Sequence, residues 1–125
     1  AVDMEHSTIS LEAAKNIFSV IQANACCAIP RLASHDSSEI KRLMDAGADG
    51  VIAPMVNNIH ELEGIIKAMK YPPIGQRGYG ISRAQGYGEK FTEYTSTWNN
   101  SSILILALVP ISLIFSPFCP MIIFL

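Results

Sequence analysis

Residues 45–57 read Asp-Ala-Gly-Ala-Asp-Gly-Val-Ile-Ala-Pro-Met-Val-Asn, and this stretch decides the fold. It begins at the end of a predicted helix, where Gly47 is placed to take the left-handed conformation that closes helices. Residues 51–56 then form a run that is apolar on both faces instead of alternating with polar residues. Such a strand is typical of a parallel sheet covered by helices. Two asparagines (57–58) follow at its carboxyl end, where α/β folds carry their chemistry.

The same strand-and-helix unit extends in both directions along the chain. The periodicity predicts a β-α-β-α-β-α order with short links, which implies a parallel sheet. A glycine- and proline-rich loop follows at 71–88, and a loop this long is usually functional or disordered. The predicted strands cover 2–5, 26–32, 50–56 and 103–109, and the predicted helices cover 11–23, 37–45, 60–69 and 91–98.

Length and charge narrow the class of protein. The chain has 125 residues, a net charge of −2 and a pI of about 5.9, which fits one domain with a real core. It has no basic block, so we expect no nucleic-acid partner. The first residues lack the pattern of a signal peptide and begin in mid-strand. We therefore expect a chain cut from something longer.

The three cysteines are Cys26, Cys27 and Cys119. Their number is odd, and their spacing is not that of a metal site. The adjacent pair lies in an apolar run, so core packing is a better prediction than a ligand or disulfide role. This favours a reducing, cytoplasmic setting.

The last third of the chain has a different character. From Tyr94 to Leu125 it contains no charged residue. Residues 103–125 are largely apolar, and at roughly 1.5 Å per residue such a helix could cross a ~30 Å bilayer core. However, Pro110, Pro117 and Pro120 would break that helix, and no Lys or Arg flanks it. A strand followed by an atypical tail is the preferred interpretation, and a membrane span is the second.

Two groups of residues at predicted strand ends could carry chemistry. Asp3, Glu5 and His6 follow the first strand, and a histidine near carboxylates is a reasonable general base. A surface polar cluster is an equally good interpretation. Arg31 ends the second strand and could hold the carboxylate of a ligand through paired N–H donors. An ordinary salt bridge within the protein is the simpler interpretation.

Two further features lie outside the strand ends. Asp45 lies at the end of a helix, where its negative charge is unfavourable beside the partial negative charge of the helix C-terminus. This small loss of helix stability indicates another role for the residue. The loop Gly-Gln-Arg-Gly-Tyr-Gly (75–80) does not open a helix after a strand, so nucleotide binding is rejected. A rim loop that closes on a small anion through Arg77 or Arg83 is preferred to a merely flexible loop.

Five motifs in order resemble the HpcH/HpaI aldolase (citrate-lyase-like) family of metal-dependent class II pyruvate aldolases. The match spans about residues 1–106. The motifs are Asp3-Met4-Glu5-His6, Pro30-Arg31, Asp45-Ala46-Gly47-Ala48, Pro54-Met55-Val56-Asn57, and Tyr71-Pro72-Pro73 leading to Arg77-Gly78-Tyr79-Gly80.

The resemblance implies part of a (β/α)₈ TIM barrel, about half of it, in residues 1–106, with an apolar tail at 107–125. It also implies a carbon–carbon lyase that cleaves a 4-hydroxy-2-oxo acid to pyruvate and an aldehyde, usually as a homo-oligomer. A divalent ion (Mg²⁺, Mn²⁺ or Co²⁺) would stabilise the enolate as a Lewis acid. The implied site residues are His6 as acid/base paired with Asp45, Arg31 on the pyruvate carboxylate and carbonyl, and Asp3, Arg77 and Gly78 on the substrate.

One departure from the family pattern changes the expectation for activity. The family strand ends in Gln-Ile-Glu, whose Glu ligates the metal, whereas Val109 stands at that position here and no carboxylate follows. An out-of-frame continuation would explain such a tail. Mg²⁺-type ions need oxygen ligands, so we predict no family-type metal binding and an inactive fragment. The alternative is a non-catalytic partial barrel, either membrane-tethered through 103–125 or bound to a companion chain.

Overall fold

The computed structural model describes residues 1–107, and the structural statements below concern those residues. Strands and helices alternate from the first residue onward. All strand pairs are parallel, and the four strands lie in the order β1-β2-β3-β4. The predicted α/β class is therefore confirmed. The strands are β1 (Val2–Asp3), β2 (Pro30–Arg31), β3 (Gly50–Pro54) and β4 (Ile103–Ala107), and the helices are α1 (Leu11–Ala23), α2 (Ser37–Asp45), α3 (Ile59–Met69) and α4 (Phe91–Ser101).

Side-chain caps fix the starts of the first three helices. Ser10, Asp36 and Asn58 each accept a hydrogen bond from the backbone N–H three residues later, at 3.2, 2.8 and 3.0 Å. Such caps satisfy helix N–H groups that have no partner within the helix. Asn58, which the sequence placed among residues for chemistry, is thus a helix cap.

Every residue of the inner strand β3 is buried except Ile52, which is half-buried, and this agrees with its apolar composition. Val51 and Ala53 have no exposed surface. On the helices, Phe18 of α1, Ile40 of α2 and Ile65 of α3 are equally buried. β4 pairs with β3 along its whole length, from Gly50 with Ile103 to Pro54 with Ala107. The sheet therefore has one common carboxyl edge.

The second strand is much shorter than predicted, and its cysteines are not in the core. β2 contains only Pro30 and Arg31, and both Cys26 and Cys27 are exposed. Ala25 has a left-handed φ of 56°, and the Cys26 N–H bonds back to α1. These contacts keep the chain in a turn after α1, so it cannot join the sheet until Pro30.

The segment between α3 and α4 is bonded to the rest of the chain through Arg77, which contacts Asp45, and Arg83, which contacts Gln22. It contains a kinked 3₁₀ segment at Arg83–Gly88. α4 extends three residues beyond the predicted end at 98. The predicted end of the last strand at 109 and most of the predicted tail lie outside the described residues. Within residues 1–107, no helix has both the length and the apolar character needed to cross a membrane.

Candidate active site at the carboxyl edge of the sheet

Parallel pairing brings the ends of β1 and β2 side by side. Asp3 is in register with Arg31, and the Met4 N–H donates to the Arg31 carbonyl at 3.0 Å. Glu5 and His6 follow directly, so the cluster at the first strand end and the arginine at the second share one edge. The structure thus brings together three of the predicted site residues, namely Asp3, His6 and Arg31.

Asp3 shapes the turn that presents its neighbours. Its Oδ1 accepts the backbone N–H groups of Glu5 at 2.9 Å and His6 at 3.0 Å. The hydrogen bond from the His6 N–H is the main cause that lowers the pKa of Asp3, and the bond from Glu5 and the charge of Arg31 act in the same direction. Asp3 therefore carries a negative charge at neutral pH. Its contact with substrate stays a prediction.

Glu5, His6 and Arg31 form a compact triangle. Arg31 Nη2 lies 2.5 Å from Glu5 Oε2, and His6 Nε2 lies 3.3 Å from the same oxygen and 3.4 Å from Arg31 Nη2. When Nε2 accepts from Arg31, the ring is neutral and protonated at Nδ1. When Nε2 gains a proton, it donates to Glu5. Nε2 is therefore placed to take up and release a proton.

Arg31 has a donor that the described residues leave unused. Its Nε is buried and has no hydrogen-bond partner among them. An unsatisfied buried donor is costly, and a carboxylate that meets a guanidinium through two donors would satisfy it. Glu5 therefore holds the Arg31 side chain through Nη2, and Nε remains available to an anion.

Asp45, the predicted partner of His6, is bonded to another residue in the described chain, and its pairing with His6 stays a prediction. Asp45 ends α2 and leads into the start of β3, so it lies toward the opposite edge of the sheet from His6. Its Oδ1 accepts from Arg77 Nη2 at 2.7 Å. The carboxylate that reaches His6 within the described chain is that of Glu5. A helix that returns along the sheet necessarily ends at the far edge.

Arg77 is also placed away from the carboxyl edge. Its side chain is 1% exposed, and its guanidinium carbon lies 4.7, 5.5 and 5.1 Å from the ring centres of Tyr71, Tyr94 and Trp98. Its charge is already paired with Asp45 at 2.7 Å, and its role in substrate binding stays a prediction. Gly78 follows on the same loop, exposed and away from Arg31.

Two features at the carboxyl edge were not assigned from the sequence. The sequence indicates Glu5 only as a member of a polar cluster, although its position two residues after Asp3 is a signal that it could partner Arg31. Met55 follows β3 with a left-handed φ of 56° and is 56% exposed. No sequence signal predicts a methionine in that conformation.

The residues described do not form a metal site. No group of three or more His, Cys, Asp or Glu side chains within residues 1–107 could hold an ion. At the carboxyl edge, Asp3 Oδ1 accepts two backbone N–H groups, and Glu5 Oε2 forms an ion pair with Arg31. β4, whose family counterpart leads into the ligating Glu, has the sequence Ile-Leu-Ile-Leu-Ala. Residues 108–125 add no Asp, Glu or His.

The arginine, histidine and glutamate lie at the carboxyl edge of an α/β sheet, which is where barrel folds of this type carry their active sites. The family model of the HpcH/HpaI aldolases and citrate lyases matches residues 1–110. The chain belongs to this family. Its aldolases are of the metal-dependent class.

Two curated relatives illustrate the similarity. The chain is 38% identical over 88 residues to a 2-dehydro-3,6-dideoxy-6-sulfogluconate aldolase of Pseudomonas putida. It is 36% identical over 88 residues to a 4-hydroxy-2-oxovalerate aldolase of Novosphingobium aromaticivorans. In both cases the match covers 70% of this chain and 34% of the relative. The chain therefore matches about a third of the length of these relatives.

Solved structures support the fold. An HpcH/HpaI aldolase from Desulfitobacterium hafniense DCB-2 superposes with a TM-score of 0.78 at 22% identity, over 90% of this chain and 44% of that one. Macrophomate synthase superposes with a TM-score of 0.66 at 26% identity, over 83% and 38%. This coverage agrees with the predicted partial barrel.

Proposed function

We propose that this chain carries the keto-acid-binding part of a pyruvate aldolase, a carbon–carbon lyase that cleaves a 4-hydroxy-2-oxo acid to pyruvate and an aldehyde. The observation that carries the proposal is the Glu5–His6–Arg31 triangle at the carboxyl edge, with the unpartnered Nε of Arg31. The names of the relatives support the reaction class. The cytoplasm as location and a homo-oligomeric state are part of the same proposal.

Arg31 would bind the carboxylate of the keto acid. Its guanidinium keeps its charge at any physiological pH and presents donors in a fixed plane. Glu5 neutralises part of that charge and fixes the plane, because one of its oxygens lies 2.5 Å from Nη2. The substrate carboxylate would take the remaining donors, Nε among them. This arrangement orients the keto acid with its reactive carbons toward His6.

His6 would move the protons of the cleavage. As a base, Nε2 removes the proton of the C4 hydroxyl while the C3–C4 bond breaks, which releases the aldehyde and leaves the enolate of pyruvate. The enolate carbon then takes a proton and becomes the methyl group of pyruvate. Glu5 stabilises the protonated ring between these steps, since its Oε2 lies 3.3 Å from Nε2. Such proton transfer typically contributes about 10²–10⁴-fold to a rate.

The enolate needs a positive charge near its oxygen, and the described residues supply only Arg31 there. No metal site fits them, and residues 108–125 contain no carboxylate or imidazole. We therefore propose that the chain alone binds keto acids without turning them over. The alternative of a membrane-tethered partial barrel depends on residues 103–125, most of which lie outside the described part.

Binding of pyruvate tests this proposal without requiring turnover. Ligand-observed NMR with millimolar pyruvate should show saturation transfer from the protein to the methyl group, with acetate as a competing carboxylate. In Arg31→Lys the transfer should fall at least several-fold, because lysine does not reproduce the planar pair of donors.

Arg42→Lys is the matched control for this experiment. Arg42 is an exposed arginine on α2, so its replacement should leave the transfer unchanged. Equal transfer in all three proteins would show that pyruvate binds elsewhere or nonspecifically, and it would overturn the assignment of Arg31. Circular dichroism of each variant verifies that the comparison is made between folded proteins.

A further inference from the structure

Cys26 and Cys27 are consecutive, and both are exposed. They lie in the turn between α1 and β2, which is at the amino edge of the sheet. The proposed aldolase site is at the other edge and uses neither thiol. The pair is therefore a reactive feature that the proposed function does not explain.

The turn is anchored on both sides of the pair. The Ala25 and Cys26 N–H groups bond to the carbonyls of Gln22 and Ile21 at 3.0 and 3.3 Å. On the other side, the Ala28 N–H donates to Asp49 Oδ2 at 2.7 Å. Cys26 is thus anchored itself and Cys27 lies directly between the anchors, so both thiols are held on one short exposed segment.

The spacing of the pair disfavours a direct disulfide. The Cys26–Cys27 peptide is trans, which places consecutive Cα atoms about 3.8 Å apart. Disulfides usually join Cα atoms separated by about 4.4–6.8 Å, with an S–S bond of about 2.05 Å. A direct bond would strain the backbone. An atom placed between the two sulfurs lets them lie farther apart and removes most of that strain.

The number of donor side chains near the pair indicates which element could bridge the two sulfurs. Zinc takes four ligands in structural sites, and no set of three or more metal-binding side chains occurs within residues 1–107. The pair offers two sulfurs and nothing more. Two thiols are suited to an element that prefers sulfur ligands and can form two bonds to them.

We propose that Cys26 and Cys27 form a dithiol site for monosubstituted trivalent arsenicals. Each thiol gives up its proton and forms one As–S bond, and the oxygen of the arsenoxide leaves as water. For phenylarsine oxide, one molecule and two thiols give one cyclic adduct and one water. Arsenic stays trivalent throughout, so the reaction needs no oxidant or reductant.

The experiment uses the reduced full chain with one equivalent of phenylarsine oxide, followed by intact mass measurement. We expect one phenylarsenic group per chain that survives excess 2-mercaptoethanol and is removed by 1,2-ethanedithiol, because only a dithiol competes with two As–S bonds. Trypsin cleaves after Lys15 and Arg31, so the adduct should map to peptide 16–31, which contains no other cysteine.

Serine variants decide whether both sulfurs are needed. Cys26→Ser and Cys27→Ser should each make the adduct removable by 2-mercaptoethanol, and Cys119→Ser should leave it resistant. Both replaced thiols are exposed, so we expect the variants to keep the circular dichroism of the parent. Resistance that persists in either single variant, or that disappears in Cys119→Ser, would overturn the proposal.

Discussion

The burial of Arg77 could not be predicted from its neighbours in the sequence. Its flanking glycines indicate an open loop, and a cation in an open loop invites an anionic ligand. In the structure its partner is Asp45 at 2.7 Å, and its Nη1 donates to the Tyr94 hydroxyl at 3.1 Å. The signal for burial lies in the rings of Tyr71, Tyr94 and Trp98, of which the last two are distant in sequence and meet Arg77 only after folding.

Replacing this arginine should therefore affect stability. We expect Arg77→Lys to lower the free energy of unfolding by about 1–3 kcal/mol, since lysine cannot keep both hydrogen bonds and the aromatic contacts. Asp45 is partly exposed, so water compensates for some of the lost ion pair. Urea denaturation measures the effect, and Arg42→Lys should change stability by less than about 0.5 kcal/mol. Equal midpoints for the two variants would contradict the buried role.

Tyr94 gives a second test of the same cluster. Burial raises the pKa of Tyr94 to about 12, and the Arg77 charge partly opposes this shift. The unfolded chain releases this proton near pH 10, so between about pH 10 and 12 the folded state binds more protons than the unfolded state. Stability therefore falls as pH rises through that window, by about 2 kcal/mol.

The measurement is urea denaturation at pH 9 and pH 11 for the parent chain and Tyr94→Phe. Part of the loss between these pH values should be missing in Tyr94→Phe, which has no phenol to ionise. Spectrophotometric titration should likewise show one fewer tyrosine with an elevated pKa. Burial also raises the pKa of Tyr71, so some of the pH dependence should remain in the variant.

At the scale of the elements, most of the fold could be predicted. The helices α1, α2 and α3 and the strand β3 follow from apolar periodicity and from caps such as Ser10 and Asp36. β2 could not be predicted correctly, because the apolar run at 26–32 has the composition of a strand. Two sets of contacts delay its start: the Cys26 N–H bonds back to α1, and Asp49 accepts the Ala28 N–H at 2.7 Å.

Two glycines should respond in opposite ways to the same substitution. Gly47 has a φ of +99°, and a Cβ there would lie 2.1 Å from Arg83 Nη1. Arg83 itself donates to the Ala46 carbonyl at 3.1 Å and to Gln22 Oε1 at 2.8 Å. Gly47→Ala should therefore destabilise the chain by more than about 1 kcal/mol.

Gly64→Ala should have the opposite effect on the free energy of unfolding. Gly64 lies inside α3, and a Cβ there meets nothing within 4 Å. Alanine should raise the free energy of unfolding by about 0.5–1 kcal/mol, because it restricts the unfolded chain and favours helix. Urea midpoints of both variants against the parent measure the pair. Stabilisation by Gly47→Ala would mean that the turn before β3 is described incorrectly.

For the molecule as a whole, strand order decided which site residues meet. The sequence could predict that Asp3, His6 and Arg31 share an edge, because parallel strands align their carboxyl ends. It could not predict that Glu5 would be the carboxylate beside His6, since the choice between Glu5 and Asp45 depends on which edge each one occupies. The described chain thus places the residues proposed to bind the keto acid at one edge and the Asp45–Arg77 pair toward the other.

The central claim is that the chain contains the keto-acid end of an aldolase site without a site for the metal. The most direct test is pyruvate release from 4-hydroxy-2-oxovalerate, followed through lactate dehydrogenase, with Mn²⁺, Mg²⁺ or Co²⁺ and with chelator. The Novosphingobium aromaticivorans 4-hydroxy-2-oxovalerate aldolase serves as the active control. We predict release at the protein-free rate under every condition. Metal-dependent release that chelator abolishes and His6→Ala removes would contradict the claim.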